Sequence, residues 1–222
     1  MQANTLGSYR FYSSSNLSNQ HLELLRSIFS SPPKPVGGTL EGRISVSTVM
    51  LDGIGSVVVK HYRRGGFISC FLKRKYLKSG KTRCQIEYEQ LRNADQLGIN
   101  VPEPLAYAYK GWIFYQGWLI TREIKLQESL AKLSCVDAKR THSAIKKLTD
   151  QVILLINNHI YHTDLHPGNV LVDDNNRVFI IDFDKAGYYE GNKNKLQRKY
   201  LQRWNRAVIK HRLPGILYLD TL

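Results

Sequence analysis

The stretch from Tyr161 to Gly187 constrains the fold more than any other part of the chain. It reads YHTDLHPGNVLVDDNNRVFIIDFDKAG, with two short β-branched runs on either side of a polar turn at residues 173–176. Because Asn and Asp tolerate positive φ and bond to their own backbone, this turn predicts a β-hairpin. Asp164 and Asn169 precede the hairpin and Asp182 follows it. The hairpin is therefore expected to bring these three polar side chains together.

The types and order of these three side chains indicate phosphoryl transfer. A γ-phosphoryl group is transferred mainly through positioning and charge, with one carboxylate orienting the acceptor hydroxyl and other groups holding magnesium. An H-x-D loop, an Asn five residues after the Asp, a hairpin and a second Asp form the order typical of kinases. A lone H-x-D is common, so the joint occurrence carries the interpretation. Asp164 is predicted as the catalytic base, and Asn169 and Asp182 as Mg²⁺ ligands, because hard oxygen atoms suit that ion.

Upstream, a glycine-bearing hairpin and a strand that ends in Lys60 predict a site for nucleotide phosphates. Gly38 and Gly42 precede a run of alternating apolar residues, and backbone amides in such a turn can cover phosphates. These glycines are weak signals alone, because their spacing is not GxGxxG and hairpins use glycine in any case. The sequence Val57-Val58-Val59-Lys60 resembles the β3 lysine signature of kinases. Lys60, Gly38 and Gly42 are therefore predicted to contact ATP.

A helix from about Thr82 to Leu97 is predicted to supply the partner of Lys60. Glu87 and Glu89 both lie on it, and an ion pair from either would hold the lysine toward the nucleotide. Glu87 is the choice, with Glu89 left open, since a carboxylate on a helix surface is by default only a solvated charge.

Other parts of the chain predict the surrounding scaffold. Residues 1–30 are polar with one helical patch, His21 to Phe29. Two apolar runs within Trp112 to Ile124 predict strands that are separated at Gln116-Gly117. Apolar residues at helical spacing from Ala144 to His159 predict a core helix just before the catalytic loop.

These elements together predict an α+β chain with a protein kinase-like two-lobe fold. A small antiparallel β-sheet lobe would precede a reduced helical lobe. The expected organisation is an N-terminal extension and linker at 1–36, an N-lobe at 37–124, and a C-lobe at 125–222 with a basic terminal helix. That helix is predicted because Leu196, Tyr200, Trp204 and Val208 recur every four residues among many Lys and Arg.

The formal charge of +14 implies an anionic partner. Between Gly53 and Ile86 there is no acidic residue but many basic ones. Apolar residues at 68, 71, 72 and 76 lie at helical spacing beside the basic face, as in segments that bind an anionic membrane or lipid head group. A solvated basic helix that packs on its own domain is the open alternative. The residues assigned to acceptor or membrane contact are Arg63, Arg64, Lys73, Arg74 and Lys75.

Several classes of protein are disfavoured by composition. The three cysteines lie far apart with no CxxC, so neither a zinc site nor a disulfide framework is indicated. No signal peptide and no transmembrane helix are expected, because the N-terminus has no apolar core or basic leader. Nucleic acid is a less suitable partner than lipid, because most of the 13 tyrosines lie in predicted strands or the interface segment rather than at stacking positions. No obligate protein partner is inferred.

Five segments run in order across about residues 37 to 205: Lys60 to Gly66 (KHYRRGG), Ile86 to Glu89 (IEYE), Val101 to Pro104 (VPEP), Tyr161 to Asn169, and Ile181 to Asp184 (IDFD). Through these segments the chain resembles the bacterial lipopolysaccharide kinases. The resemblance implies that Asp164 is the catalytic base, that Asn169 and Asp182 bind Mg²⁺, and that Lys60 contacts the phosphates of ATP. It also implies phosphorylation of the Kdo (3-deoxy-D-manno-octulosonic acid) residue of the Kdo–lipid A precursor, by a peripheral enzyme at the cytoplasmic side of the inner membrane.

The acceptor class has alternatives. About eight residues separate Asp184 from the basic terminal helix, with no APE-like segment to seat a protein substrate. This disfavours an ordinary protein kinase, while other small-molecule kinases and RIO-like atypical protein kinases stay open. An inactive kinase-like module that binds anionic lipid or nucleic acid is a further alternative. The presence of all four polar site residues, Lys60, Asp164, Asn169 and Asp182, argues against it. An anionic glycolipid explains more, because its phosphates and carboxylates would bind the arginine and lysine cluster.

Overall fold

The computed structural model describes residues 1–31, 45–62, 76–77 and 80–222. Within them the chain forms twelve strands and five α-helices, so the predicted α+β class is confirmed. The chain forms two compact units. The described part of the first comprises residues 1–31, 45–62, 76–77, 80–89 and 103–123, and the second comprises 90–102 and 124–222. The boundaries at 36 and 124 stay predictions. No helix in the described ranges is both long and apolar enough to cross a membrane.

The first unit is built on a seven-stranded sheet in which all paired neighbours are antiparallel. The strand order is β1-β2-β6-β7-β4-β3, with β5 paired to β7. The strands are β1 (Gln2–Leu6), β2 (Tyr9–Ser13), β3 (Ser45–Leu51), β4 (Gly55–His61), β5 (Tyr76–Leu77), β6 (Pro104–Lys110) and β7 (Phe114–Arg122). The helices of this half of the chain are α1 (Asn19–Ser30) and α2 (Arg83–Gln96).

Helix α1 covers one face of this sheet. Its N-terminus has a capping box, in which Ser18 Oγ accepts from the backbone N–H of His21 and the His21 ring accepts from the N–H of Ser18. Its apolar stripe ends at Phe29, whose ring stacks on Trp118 of β7 with centroids 4.3 Å apart. The inward residues of the strands, such as Phe11 and Val59, complete the core of the first unit.

Residues 1–31 contain more structure than the sequence predicted. The helical patch is confirmed, but β1 and β2 were missed. In β2, Tyr9, Phe11 and Ser13 are buried while Arg10 between them is exposed, which is the alternation of a half-buried strand. The pattern covers only five residues and includes a buried serine, so it resembles a polar loop. Pairing of Phe11 with Ala108 on β6 decides its structure, and that partner lies far away in the chain.

Strand β7 is continuous, so the predicted separation at Gln116-Gly117 is wrong. A Cβ placed on Gly117 would lie 2.9 Å from the Sγ atom of Cys84 on α2. Glycine is therefore required at this position for close approach of the helix, and not for a turn.

The second unit contains the predicted hairpin and core helix. The hairpin is confirmed, since Val172 pairs with Val178 across the turn. The core helix is also confirmed and begins earlier than expected, because the Asp137 side chain accepts from the N–H of Arg140 and caps it. The elements are β8 (Glu128–Ser129), α3 (Leu130–Val136), α4 (Ala138–Asn157), β9 (Ile160–His162), β10 (Val170–Val172), β11 (Val178–Ile180), β12 (Ala186–Tyr188) and α5 (Lys193–Lys210). The strands form two small antiparallel sheets, β11-β10-β8 and β12-β9.

Candidate phosphotransfer site

An ion pair joins β4 to α2 in the first unit. The Nζ atom of Lys60 lies 2.9 Å from each carboxylate oxygen of Glu87, which is almost fully buried. The Tyr62 hydroxyl donates a further hydrogen bond to Glu87. Glu89, the alternative partner, instead forms a surface ion pair in which its Oε2 atom lies 2.7 Å from the Nζ atom of Lys81.

Tyr62 was not identified from the sequence as part of this cluster. Burial and the neighbouring Glu87 carboxylate raise the pKa of Tyr62 well above its usual value, so the phenol keeps its proton and remains a donor. Two groups, an ammonium and a hydroxyl, therefore share one buried carboxylate. That arrangement fixes the end of the Lys60 side chain relative to the sheet.

The position of Glu87 depends on how α2 docks against the sheet. Cys84, nearly one helical turn before Glu87, packs against Gly117, and its Sγ atom lies 3.4 Å from the carbonyl oxygen of Ala108. Burial raises the pKa of the Cys84 thiol to about 11, so it stays protonated and serves as a small apolar group. The Tyr115 hydroxyl accepts from the N–H of Arg83 at 2.9 Å and holds the first turn of the helix.

In the second unit, hydrogen bonds tie the predicted catalytic loop to the hairpin. The Asn169 side-chain amide donates to the carbonyl oxygen of Asp164 at 3.0 Å. The carbonyl oxygen of Asn169 in turn accepts from the N–H of Ile181 at 3.0 Å. Since Ile181 directly precedes Asp182, these bonds connect the backbone around all three predicted residues.

His162 supplies a second link between the same two segments. Its Nδ1 atom accepts from the N–H of Asp164 at 3.3 Å, and its Nε2 atom lies 2.9 Å from the carbonyl oxygen of Ile181. This combination needs a neutral ring with its hydrogen on Nε2. Desolvation lowers the pKa of His162 and favours that neutral form. The ring also packs edge-to-face on Phe183, with centroids 4.7 Å apart.

Asp182 has an unusual backbone conformation. Its φ of 68° lies in the left-handed region, which non-glycine residues seldom adopt. The next residue, Phe183, is fully buried and begins a short 3₁₀-helix. Strained backbone of this kind persists where the surrounding contacts enforce it, and it clusters at functional sites.

Helix α5 contacts the predicted catalytic loop through two residues that the sequence analysis did not assign to the site. The Arg203 guanidinium donates to a carboxylate oxygen of Asp164, and both side chains are partly exposed. The buried Tyr200 hydroxyl accepts from the N–H of His162 and donates to the carbonyl oxygen of Ile160, both at 2.8 Å. The apolar stripe of α5 was the one sequence signal that could have pointed to these two residues. Tyr200 lies on the apolar stripe of the helix, and Arg203 directly precedes Trp204 on the same stripe.

Only two protein ligands, Asn169 and Asp182, are predicted for Mg²⁺, and a magnesium site can be built with so few. In the described part of the chain, no group of three or more His, Cys, Asp or Glu side chains is arranged to hold a metal ion. Mg²⁺ commonly uses one or two carboxylates and takes its remaining ligands from nucleotide phosphates and water. The carboxylate of Asp182 and the amide oxygen of Asn169 have the hard-oxygen chemistry that this ion requires.

Seven other predicted site residues lie outside the described residues: Gly38, Gly42, Arg63, Arg64, Lys73, Arg74 and Lys75. Their assignments to nucleotide, acceptor or membrane stay predictions.

Comparison with known proteins gives one consistent result. Residues 33–215 match the lipopolysaccharide kinase (Kdo/WaaP) family. A 3-deoxy-D-manno-octulosonic acid kinase of Vibrio parahaemolyticus is 31% identical over 183 residues, covering 80% of this chain and 76% of the relative. Relatives with the same name in Photobacterium damsela and Vibrio vulnificus are 32% and 29% identical and cover 82% and 90% of this chain, and 76% and 88% of their own lengths.

The chain therefore belongs to the lipopolysaccharide kinase (Kdo/WaaP) family. The resemblance inferred from the motifs around Lys60, Glu87, Asp164 and Asp182 is confirmed at the level of the family.

Proposed function

We propose that this chain is an ATP- and Mg²⁺-dependent kinase that phosphorylates a hydroxyl of Kdo in the Kdo–lipid A precursor. The names of the relatives support both the reaction and the acceptor. The observation that carries the proposal is the environment of Asp164. Its carboxylate is bound by Arg203, and its carbonyl by Asn169, within a loop that His162 ties to the segment of Asp182. A loop held from three sides suits a base that must orient one hydroxyl.

The nucleotide is assigned to the first unit. Lys60, held by Glu87, contacts phosphate oxygens, and backbone amides near Gly38 and Gly42 cover them. The two units correspond in this proposal to the lobes of a kinase-like fold. Mg²⁺, when bound to Asn169 and Asp182, neutralises charge that develops on the transferred phosphoryl group.

The acceptor is assigned to the basic surface. Asp164 accepts the proton of the sugar hydroxyl while that oxygen attacks the γ-phosphorus and ADP leaves. Arg63, Arg64, Lys73, Arg74 and Lys75 contact the anionic head of the glycolipid or the membrane around it. The enzyme is assigned to a peripheral position at the cytoplasmic side of the bacterial inner membrane, as the sequence resemblance implies.

The test is incubation with ATP, magnesium and Kdo–lipid IVA, followed by mass spectrometry of the lipid. We expect a mass gain of one phosphate with wild type and none with Asp164→Ala. Asp174→Ala is the matched control, because it removes an exposed carboxylate from the hairpin turn of the same unit and should keep full activity. Absence of a mass gain with wild type that binds ATP would exclude this acceptor. Binding of ATP and magnesium that is unaffected by Asp182→Ala would indicate an inactive module.

A further inference from the structure

Three consecutive apolar side chains are exposed where β6 turns into β7. The exposed fractions are 77% for Trp112, 61% for Ile113 and 45% for Phe114. Single exposed apolar residues are ordinary on protein surfaces, but an uninterrupted run of them is unfavourable unless it has a function. These three residues are called the hairpin tip below.

The shape of the hairpin tip is determined by its turn. Gly111 has a φ of 113°, and a Cβ at this position would collide with the carbonyl oxygen of Phe114. Only glycine fits this geometry, so the chain turns sharply before Trp112. The antiparallel pairing of Lys110 with Gln116 closes the hairpin behind it. The backbone of Phe114 also pairs with Leu77 of β5, while the Phe114 side chain stays exposed. The turn and these pairings hold the tip in place at the end of the sheet.

Basic and aromatic residues surround the hairpin tip. The guanidinium carbon of Arg10 lies 5.9 Å from the ring centroid of Trp112 and the same distance from that of Tyr109. Lys110 directly precedes the turn at Gly111, and its Nζ atom lies 4.9 Å from the ring centroid of Tyr9. Residues 1–22 and 104–122, which contain β1, β2, β6 and β7, include no Asp or Glu.

The acidic residues of this sheet lie at its other end. Glu103 precedes β6 and Glu123 follows β7, while Asp52 lies in the turn between β3 and β4. The nine residues of β7 separate the two ends by roughly 30 Å. Within the described strands β1, β2, β6 and β7, the end of the sheet at the hairpin tip thus combines exposed apolar side chains with basic residues and no acidic residue.

We infer that the hairpin tip inserts into the interface of an anionic membrane. Aromatic rings with apolar neighbours favour the head-group region of a bilayer, and nearby Arg and Lys are attracted to anionic lipids. A protein partner fits less well, because a stable protein interface buries about 800 Å² on each side and three residues at a turn offer far less. The inference deepens the proposed function by naming a segment that would bring the kinase to a membrane glycolipid.

The three tryptophans allow a direct test. Trp112 is exposed, whereas Trp118 and Trp204 are 3% and 2% exposed, so a change in emission on binding reports Trp112. We expect a blue shift and increased intensity when the full chain is mixed with vesicles of phosphatidylethanolamine and phosphatidylglycerol. Vesicles of phosphatidylcholine alone should give a weaker response. The signal comes from the tip itself, even if other basic segments also touch the vesicle.

Variants then separate the tip from the rest of the surface. The double variant Trp112→Ser, Ile113→Ser should weaken vesicle sedimentation at least about tenfold, because it removes most of the exposed apolar area of the hairpin tip. Met50→Ser is the matched control, since Met50 is 64% exposed in the same sheet and lies near its acidic end. Arg10→Gln should weaken binding to the anionic vesicles about fivefold and leave binding to phosphatidylcholine unchanged.

Two results would overturn the inference. One is that the Trp112 emission does not change when vesicles are added, although the wild-type protein sediments with them. The other is a double variant that binds vesicles as well as wild type does. A separate assay uses an acceptor without fatty acyl chains, whose phosphorylation does not require membrane binding. This assay tests the proposed function independently of the membrane contact. The double variant should retain that activity. If wild type inserts but phosphorylates no acceptor, the proposed function fails and the membrane contact stands.

Discussion

The two units each hold a predicted site residue with an ion pair, but the two pairs differ in burial. In the first unit, the Lys60 and Glu87 side chains are 20% and 2% exposed, and Tyr62 donates to the same carboxylate. In the second, the Arg203 and Asp164 side chains are 28% and 27% exposed. Both partners come from helices, α2 and α5 respectively. The difference therefore concerns how firmly each residue is held.

Burial determines what each pair can do. Removing one partner of a buried pair leaves an uncompensated charge away from water, whereas a partly exposed pair is weak and readily opened. Glu87 is thus a fixed anchor for Lys60. The partly exposed Asp164 carboxylate is accessible to water, so in the proposed mechanism it can accept a hydroxyl hydrogen bond while Arg203 binds its Oδ1 atom. In the proposed mechanism, the first pair preserves structure and the second orients the carboxylate that acts as the base.

The largest expected effect follows from breaking the buried pair. Glu87→Gln should lower the free energy of unfolding by about 3 kcal/mol, because the Lys60 ammonium loses its charged partner. The KM for ATP should also rise, since the lysine is no longer held in place. Urea denaturation and initial-rate kinetics measure these two quantities. Glu89→Gln, which breaks only an exposed pair with Lys81, is the control and should change stability by less than about 1 kcal/mol. Equal effects of the two variants would refute the distinction.

Breaking the exposed pair should affect the rate more than the fold. Arg203→Gln is expected to reduce kcat on the order of 10²-fold, because a misplaced Asp164 carboxylate orients the hydroxyl poorly. The free energy of unfolding should change by about 1 kcal/mol or less, and the KM for ATP should not change.

Two further variants test this assignment. Arg203→Lys should recover part of the lost rate, since the charge returns without the planar geometry. Arg206→Gln, exposed on the same helix, should behave as wild type. A large loss of stability with normal kcat would show that Arg203 serves only the fold.

The same contrast explains which parts of the site were predictable. The hairpin at 173–176 is encoded by neighbouring residues, so its turn chemistry was readable. Lys60 and Asp164 belong to local patterns of only a few residues. Glu87 could be chosen as the partner of Lys60 because the predicted helix carries few carboxylates. The partner of Asp164 was missed, because Arg203 lies 39 residues away in the chain among many other basic residues.

Tertiary contacts likewise account for the errors in the fold. Gly117 resembles a strand break in sequence, but its lack of a side chain serves the packing of Cys84. Strand β2 is too short to be recognised without β6 beside it. Such features depend on which segments meet in space, and periodicity along the chain carries no information about that.

The packing of α2 on β7 offers a smaller effect on the buried pair. Gly117→Ala should lower the free energy of unfolding by about 1–2 kcal/mol, because its Cβ crowds the Sγ atom of Cys84. Cys84→Ala removes that atom, so the double variant should recover part of the loss. A double-mutant cycle by thermal denaturation measures this coupling. Strictly additive effects would show that the two residues do not compete for the same space.

The smallest expected effect is a pH dependence of the loop that holds Asp164. The folded pKa of His162 lies below its usual 6.5, so the unfolded chain gains a proton first as the pH falls. The stabilisation is therefore fully present above about pH 6.5 and is lost below it, with a slope of at most about 1.4 kcal/mol per pH unit. Urea denaturation of wild type and His162→Gln across this range should show a steeper decline for wild type, while exposed His142→Gln should match wild type. Equal slopes for wild type and His162→Gln would mean that the ring does not stay neutral. Only a neutral ring lets Nδ1 of His162 accept from the N–H of Asp164. If the slope is absent, His162 no longer counts with Arg203 and Asn169 as a support of the loop, and the contrast between the Asp164 and Glu87 carboxylates is weaker.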